Sequence, residues 1–228
     1  MMIAENLNRA KATLKAGVEL VAVSKYHPVA DLQEAYDAGQ RVFGESHVQE
    51  MVAKHEVLPQ DIRWHFIGHL QTNKVKYMAP FVCLIHSVDS LKLLREIDKQ
   101  ARKVGRVIDV LLQLHVAQEE TKFGFSPEEV MAMLDDGEWR AMEGVRIVGV
   151  MAMATNTDDE GQIASEFEAV RALFGEMRRR FFAEESSFKE ISMGMSGDYL
   201  IAQEHGSTLV RIGSMIFGER DYGTPFTM

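Results

Sequence analysis

Lys25 stands where a lysine is costly. It follows the apolar run Leu20–Val23 in "ELVAVSKYHP", and an ammonium group at the end of a buried strand loses hydration. A desolvated amine has its pKa lowered, and the neutral form condenses with an aldehyde to give a Schiff base. The bland alternative is a lysine that caps the strand and reaches back to water. Two C-terminal stretches add a second chemistry. "ISMGMSGDY" places Ser196 and Gly197 at a helix start, and "VRIGSMIFGERDY" places Gly213 and Ser214 after a strand. Free N–H groups at a helix start, hydroxyls and glycines suit a phosphate; ordinary β-to-α turns use the same residues. Arg211 lies on the face of Gly213, about 6–7 Å before it at two strand steps. It either pairs with a core carboxylate or meets the ligand whose phosphate the next residues hold. A cation there would lower the lysine pKa further. An aldehyde, a phosphate and a ring bracketed by lysine and arginine describe pyridoxal 5′-phosphate, PLP.

These groups need a scaffold that brings strand ends together. Short apolar runs recur at 19–25, 41–46, 63–68, 82–88, 107–116, 145–153, 188–195 and 209–214, with helical periodicity between them. In 90–104, Ser90 can cap, and Leu91, Leu94, Ile97, Ala101 and Val104 form one stripe. In 158–182, Ile163, Phe167, Val170, Phe174, Met177 and Phe181 do the same. A further helix is expected at about 3–16. Strict alternation predicts a parallel sheet with helices outside, and near-continuous apolar strands fit burial on both faces. Eight units make a (β/α)8 TIM barrel with an extra N-terminal helix the expected fold, as a single domain over residues 1–228. A doubly wound open sheet is the runner-up, but no G-x-G-x-x-G opens a helix after an early strand. A barrel puts its site at the strand C-termini, with phosphate at the loops after strands seven and eight. In strand seven, Ser192, Gly194 and Ser196 are expected to face inward, and Ile191, Met193 and Met195 to pack on helices.

The stretches "AVSKYHP", "FGESHVQE", "WHFIGHLQTNKVK", "HSVDS", "ETKFGF", "ISMGMSGDY" and "VRIGSMIFGERDY" run in order from about residue 20 to 222. With them the sequence resembles the YggS-like pyridoxal phosphate homeostasis proteins, which share the barrel of the alanine racemase N-terminal domain. The resemblance implies Lys25 as the Schiff-base lysine, phosphate contacts from Ser196, Gly213 and Ser214, and Arg211 at the pyridine nitrogen, where it weakens the ring as an electron sink. Ser46 stands where the family usually has an asparagine near the cofactor, and His27 where it commonly has a second lysine. The resemblance further implies a carrier that buffers PLP for PLP-requiring apo-enzymes. Racemases of this fold carry a β-domain with a tyrosine base, and racemisation needs acid–base groups on both faces; none is expected in the stretch after the last motif. A racemase-type PLP enzyme and a cofactor-free Schiff-base aldolase are the other readings.

The totals narrow the partners. Of 228 residues 46% are hydrophobic, enough for one sizeable core. A net charge of −9 argues against nucleic acid as main partner. One cysteine, Cys83, read as a small strand hydrophobe, fits a reducing cytoplasm. No apolar run approaches a membrane span, and the N-terminus does not read as a secretory signal. A cytoplasmic monomer or weak dimer is expected. His65 and His69 have the i, i+4 spacing of a helical zinc site, but ~13 Å would separate them on a strand, so no metal is expected. Lys122 in "ETKFGF" is expected on the ligand rim, Lys74 and Lys76 on a solvated face, and Met151 and Met153 in the core.

Overall fold

The computed structural model describes residues 2–117 and 123–219. Lys122, and "GERDY" beyond Glu219, lie outside them. The chain opens with α1 (Met2–Ala12), shorter than the expected 3–16. Then come β1 (Glu19–Val23), α2 (Val29–Asp37), β2 (Val42–Glu45), α3 (Val48–Val57), β3 (Arg63–Phe66), α4 (Val75–Met78), β4 (Leu84–Val88) and α5 (Leu91–Lys103). The second half holds β5 (Ile108–Leu114), α6 (Pro127–Asp136), β6 (Val145–Ala152), α7 (Glu160–Phe181), β7 (Glu190–Ser192), α8 (Tyr199–Glu204), β8 (Leu209–Ile212) and α9 (Ser214–Phe217). Every strand pairs in parallel with its sequence neighbours, and β1 pairs with β8, so the barrel closes in the order β1 to β8. The expected alternation is the one observed.

Local sequence explains the elements that set the site. Ser90 caps α5 by accepting from the Leu93 N–H, and Leu94, Ile97 and Ala101 bury its stripe. Val104 lies outside the helix and is exposed. Asp159 caps α7, which buries Ile163, Phe167, Val170, Phe174 and Met177. Between sheet and helices runs the larger core; a smaller cluster of Leu84, Leu111, Val148, Met151 and Leu209, with half-buried Met153 against it, fills the barrel lumen.

Three strand-level expectations are corrected. The run expected over 19–25 ends as a strand at Val23, so Lys25 sits beyond the strand in a turn and is half-buried rather than at the end of a buried strand. Strand seven is three residues long because Gly194 adopts φ +95°, a left-handed conformation that turns the chain out of the sheet. A Cβ there would also come within 2.6 Å of the Ala202 Cβ, so glycine lets α8 close over the loop. As a result Met193 is buried but Met195 is exposed rather than packed on helices. Cys83 precedes β4 and is half-buried.

Candidate functional site

The six sequence-selected residues come from four consecutive strand ends. Ser196 follows β7; Arg211 lies in β8, with Gly213 and Ser214 just after it; Lys25 follows β1; Ser46 follows β2. In barrel order these strands are neighbours, so the residues share one arc of the C-terminal mouth. The two glycine–serine loops meet: the Gly213 N–H donates to Ser196 Oγ at 3.4 Å. Gly213 also begins α9, so Ser214 is the first residue of a short helical turn. A Cβ on Gly213 would lie 3.1 Å from the Val23 carbonyl oxygen. The missing side chain therefore lets β8 and β1 converge, which brings the turn bearing Lys25 beside the paired loops.

Arg211 points into the lumen and is buried. Its Nη1 donates to the Ser192 carbonyl at 2.9 Å and to Ser192 Oγ at 2.6 Å; Nη2 donates to the Ala152 carbonyl at 3.0 Å. Its partners are thus strand-end oxygens, and the core carboxylate considered from sequence is not among them. Burial lowers its pKa to about 10, partly offset by Asp198; the guanidinium stays charged at neutral pH. Nε takes part in none of these bonds, which leaves one donor edge for a ligand acceptor.

Behind Arg211 runs a line that sequence reasoning missed. Ser192 Oγ lies 2.8 Å from His86 Nδ1, and His86 Nε2 lies 3.0 Å from His65 Nδ1. A guanidinium only donates, so Ser192 Oγ accepts from Arg211. With the hydroxyl proton aimed at His86 Nδ1, the His86 Nε2–H donates to His65 Nδ1, and the last proton rests on His65 Nε2. That nitrogen is buried with no hydrogen-bond partner among the described residues. Burial, then Arg63, lowers the His65 pKa to about 3; burial, then His65 and Arg211, holds His86 well below its ordinary value. Both rings are neutral. His65 and His69 are not a pair: His69 Nδ1 faces Asp89 at 3.1 Å and its ring stacks on Phe123.

The turn at Lys25 rests on a second cluster. Ser24 to His27 forms a β-turn, with the His27 N–H donating to the Ser24 carbonyl at 3.1 Å. Tyr26, third in that turn, has φ +65°, where turns usually carry glycine. Holding such a residue costs roughly 1–3 kcal/mol. The Tyr26 N–H donates to Glu50 Oε1 at 2.7 Å, and a hydrogen bond to a charged group returns about 1.5–3 kcal/mol. The two magnitudes match, so the clamp suffices to hold the turn. Lys54, fully buried on α3, spends all three N–H donors here: on the Ser24 carbonyl at 2.8 Å, Glu45 Oε1 at 2.7 Å and Glu50 Oε1 at 2.7 Å. Ser24 Oγ also donates to Glu45 Oε1 at 2.7 Å. Burial raises the Glu45 pKa to about 7 despite Lys54, with Glu50 adding to the rise.

Ser46 is half-buried; its Oγ lies 3.3 Å from His47 Nδ1. Its backbone is fixed by a close neighbour, since a Cβ on Gly68 would fall 2.4 Å from the Ser46 carbonyl oxygen. At the opposite, N-terminal mouth lies a cavity of about 530 Å³. Two pairs of its charges are engaged in ion pairs, Arg63 with Glu19 at 2.7 Å and Arg146 with Asp109 at 2.7 Å. The described residues hold no group of three or more His, Cys, Asp or Glu side chains able to bind a metal, and no helix among them is long and apolar enough to cross a membrane.

The family model "Alanine racemase, N-terminal domain" matches residues 2–221. A pyridoxal phosphate homeostasis protein of Aquifex aeolicus is 39% identical over 218 residues, covering 93% of each chain. The chain belongs to this family. Among family structures, PipY of Synechococcus elongatus without PLP superposes with a TM-score of 0.88 at 36% identity, covering 95% of this chain and 100% of that one. PipY with PLP bound gives 0.85 at 35%, with the same coverage. An alanine racemase of Clostridium difficile shares the fold, with a TM-score of 0.75 at 13% identity; the match covers 98% of this chain and 57% of the racemase.

Proposed function

We propose that this chain binds PLP as a Schiff base on Lys25 and holds and releases it for intracellular vitamin B6 homeostasis, as a carrier rather than a catalyst. The observation that carries the reading is the contact of Ser196 Oγ with the Gly213 N–H. It joins the loops after β7 and β8 into one cradle next to the turn of Lys25. In this reading Ser196, Gly213 and Ser214 grip the phosphate, and Arg211 presents Nε to the pyridine nitrogen. Ser46 closes the arc from β2 in place of a longer side chain. Bound PLP supplies an electrophilic aldehyde and an electron-accepting ring. A donor-only arginine at the ring nitrogen favours its unprotonated form and so restrains that acceptor. Support also comes from the relatives' name and from the PLP-bound PipY. Recipients of the carried PLP would be PLP-requiring apo-enzymes.

Imine absorbance and borohydride trapping test the reading. Wild type should yield a reduced adduct at Lys25, and Lys25→Ala should lose both signals while keeping its fold. Charge-assisted bonds of about 1.5–3 kcal/mol each predict a preference for PLP over pyridoxal of at least about tenfold. An adduct that persists in Lys25→Ala places the attachment elsewhere. Equal binding of the two aldehydes removes the cradle. Steady turnover of amino acids by the pure loaded protein would favour the racemase-type reading.

A further inference from the structure

We propose that Glu50, backed by Lys54 and Glu45, is a positioning residue for Lys25: it fixes the Ser24–His27 turn so that Nζ meets an aldehyde held by the cradle. The inference rests on Lys25 being the Schiff-base lysine. None of the three residues is among those proposed to touch the ligand. They lie on the helix side of the sheet, and their bonds go to the backbone on either side of Lys25, at the Ser24 carbonyl and the Tyr26 N–H.

Three observations converge. The turn has positive φ at a residue with a full side chain, Tyr26, a conformation that the local sequence does not favour. The Tyr26 N–H is met by a carboxylate from α3, an element distant from it in sequence. That carboxylate is itself held by a fully buried ammonium group, whose other donors go to Glu45 and back to Ser24. A surface ion pair would leave the turn free to relax; a buried, closed ring of bonds does not. Imine formation needs this accuracy. Neutral Nζ attacks the aldehyde carbon, a C=N bond replaces C=O, and the oxygen leaves as water with the two amine protons. A phosphate-anchored ring cannot follow a lysine that drifts, and a misplacement of about 1 Å can cost on the order of 10²-fold.

The experiment separates positioning from general damage by using two ligands. PLP reports both binding and imine formation. 4-Deoxypyridoxine 5′-phosphate carries a methyl group in place of the aldehyde and reports the cradle alone. In Glu50→Ala, imine formation from PLP should slow roughly ten- to a hundredfold, while affinity for the deoxy analogue stays within about twofold. Glu50→Gln keeps an oxygen that accepts from the Tyr26 N–H and should restore most of the rate. Should Glu50→Ala not fold, Ser24→Ala removes one bond of the ring with little loss of volume; it should slow the imine step by a few fold, again at constant analogue affinity. Unchanged imine rates in the folded variants overturn the proposal, as does a parallel fall in analogue binding. A wild-type borohydride adduct on a residue other than Lys25 instead overturns the function on which it rests.

Discussion

Between β1, β2 and α3, Lys54 meets Glu45 and Glu50; inside the barrel, Ser192, His86 and His65 run in line behind Arg211. Both clusters are buried, and each borders one of the two cations assigned to the ligand. They meet the cost of burial in opposite ways. The first keeps an ammonium group between two carboxyl groups, although burial raises the pKa of one of them, Glu45, to about 7, and its short directional bonds clamp a strained turn. The second removes charge altogether: burial drives the histidines neutral, and a relay of hydrogen bonds ends on an unpartnered nitrogen. The difference suits what each supports. A turn that must not move is held by ion pairs. The guanidinium proposed to face the ligand ring is backed by groups that do not compete with it.

Lys54→Met should be the most damaging change, since it leaves two buried carboxylates without their cation. Removing one partner of a buried pair costs about 3–5 kcal/mol, to be read from urea unfolding at pH 7. A loss below about 1 kcal/mol would mean the cluster is not ionic. Acid gives the next largest effect. His65 moves from an ordinary 6.5 to about 3 in the fold, so the folded state binds fewer protons than the unfolded chain in that window. Its contribution is intact above about pH 6.5 and declines as pH falls, reaching ~2 kcal/mol lost at pH 5. His65→Asn should reduce the difference in stability between pH 7.5 and pH 5 by that amount, and an unchanged difference contradicts a neutral buried ring. Glu45 carries the opposite slope, because its pKa is raised. Ser192→Ala should matter least, about 1–2 kcal/mol. Arg211 keeps the Ser192 carbonyl while His86 Nδ1 loses its partner, so thermal unfolding should shift modestly. A large drop would show that the hydroxyl, not the carbonyl, holds the guanidinium.

The same contrast shows what can be read from the chain. The barrel was legible because its strands are continuous apolar runs and its helices are capped and striped. Lys25, Arg211 and the glycine–serine loops stood out because each breaks such a run at its end. The supporting clusters did not. Glu50 and Lys54 have the i, i+4 spacing of an ordinary solvated helix pair, and only the packing of α3 on β1 and β2 buries them. His65 and His86 lie on β3 and β4, and their meeting depends on a register that no local pattern encodes. Strand seven was drawn too long because period-two alternation continues through Gly194, whereas the backbone has already turned at that residue.

The seam of the barrel has a consequence for assembly. β1 and β8 join positions as far apart as Val21 and Arg211, nearly the two ends of the chain. Lys25 follows the first strand of the barrel, and Arg211 lies in its last strand with Gly213 and Ser214 just after it. A polypeptide emerging from the ribosome therefore exposes the lysine proposed to react long before the groups proposed to select a phosphorylated aldehyde exist. Pairing of non-local strands is a slow, late event in folding, and a ligand that spans the seam stabilises only the closed form, by mass action. Capture of the ligand would thus report that the last strand has docked, and an open barrel, whether nascent or frayed at the seam, would release what it carried.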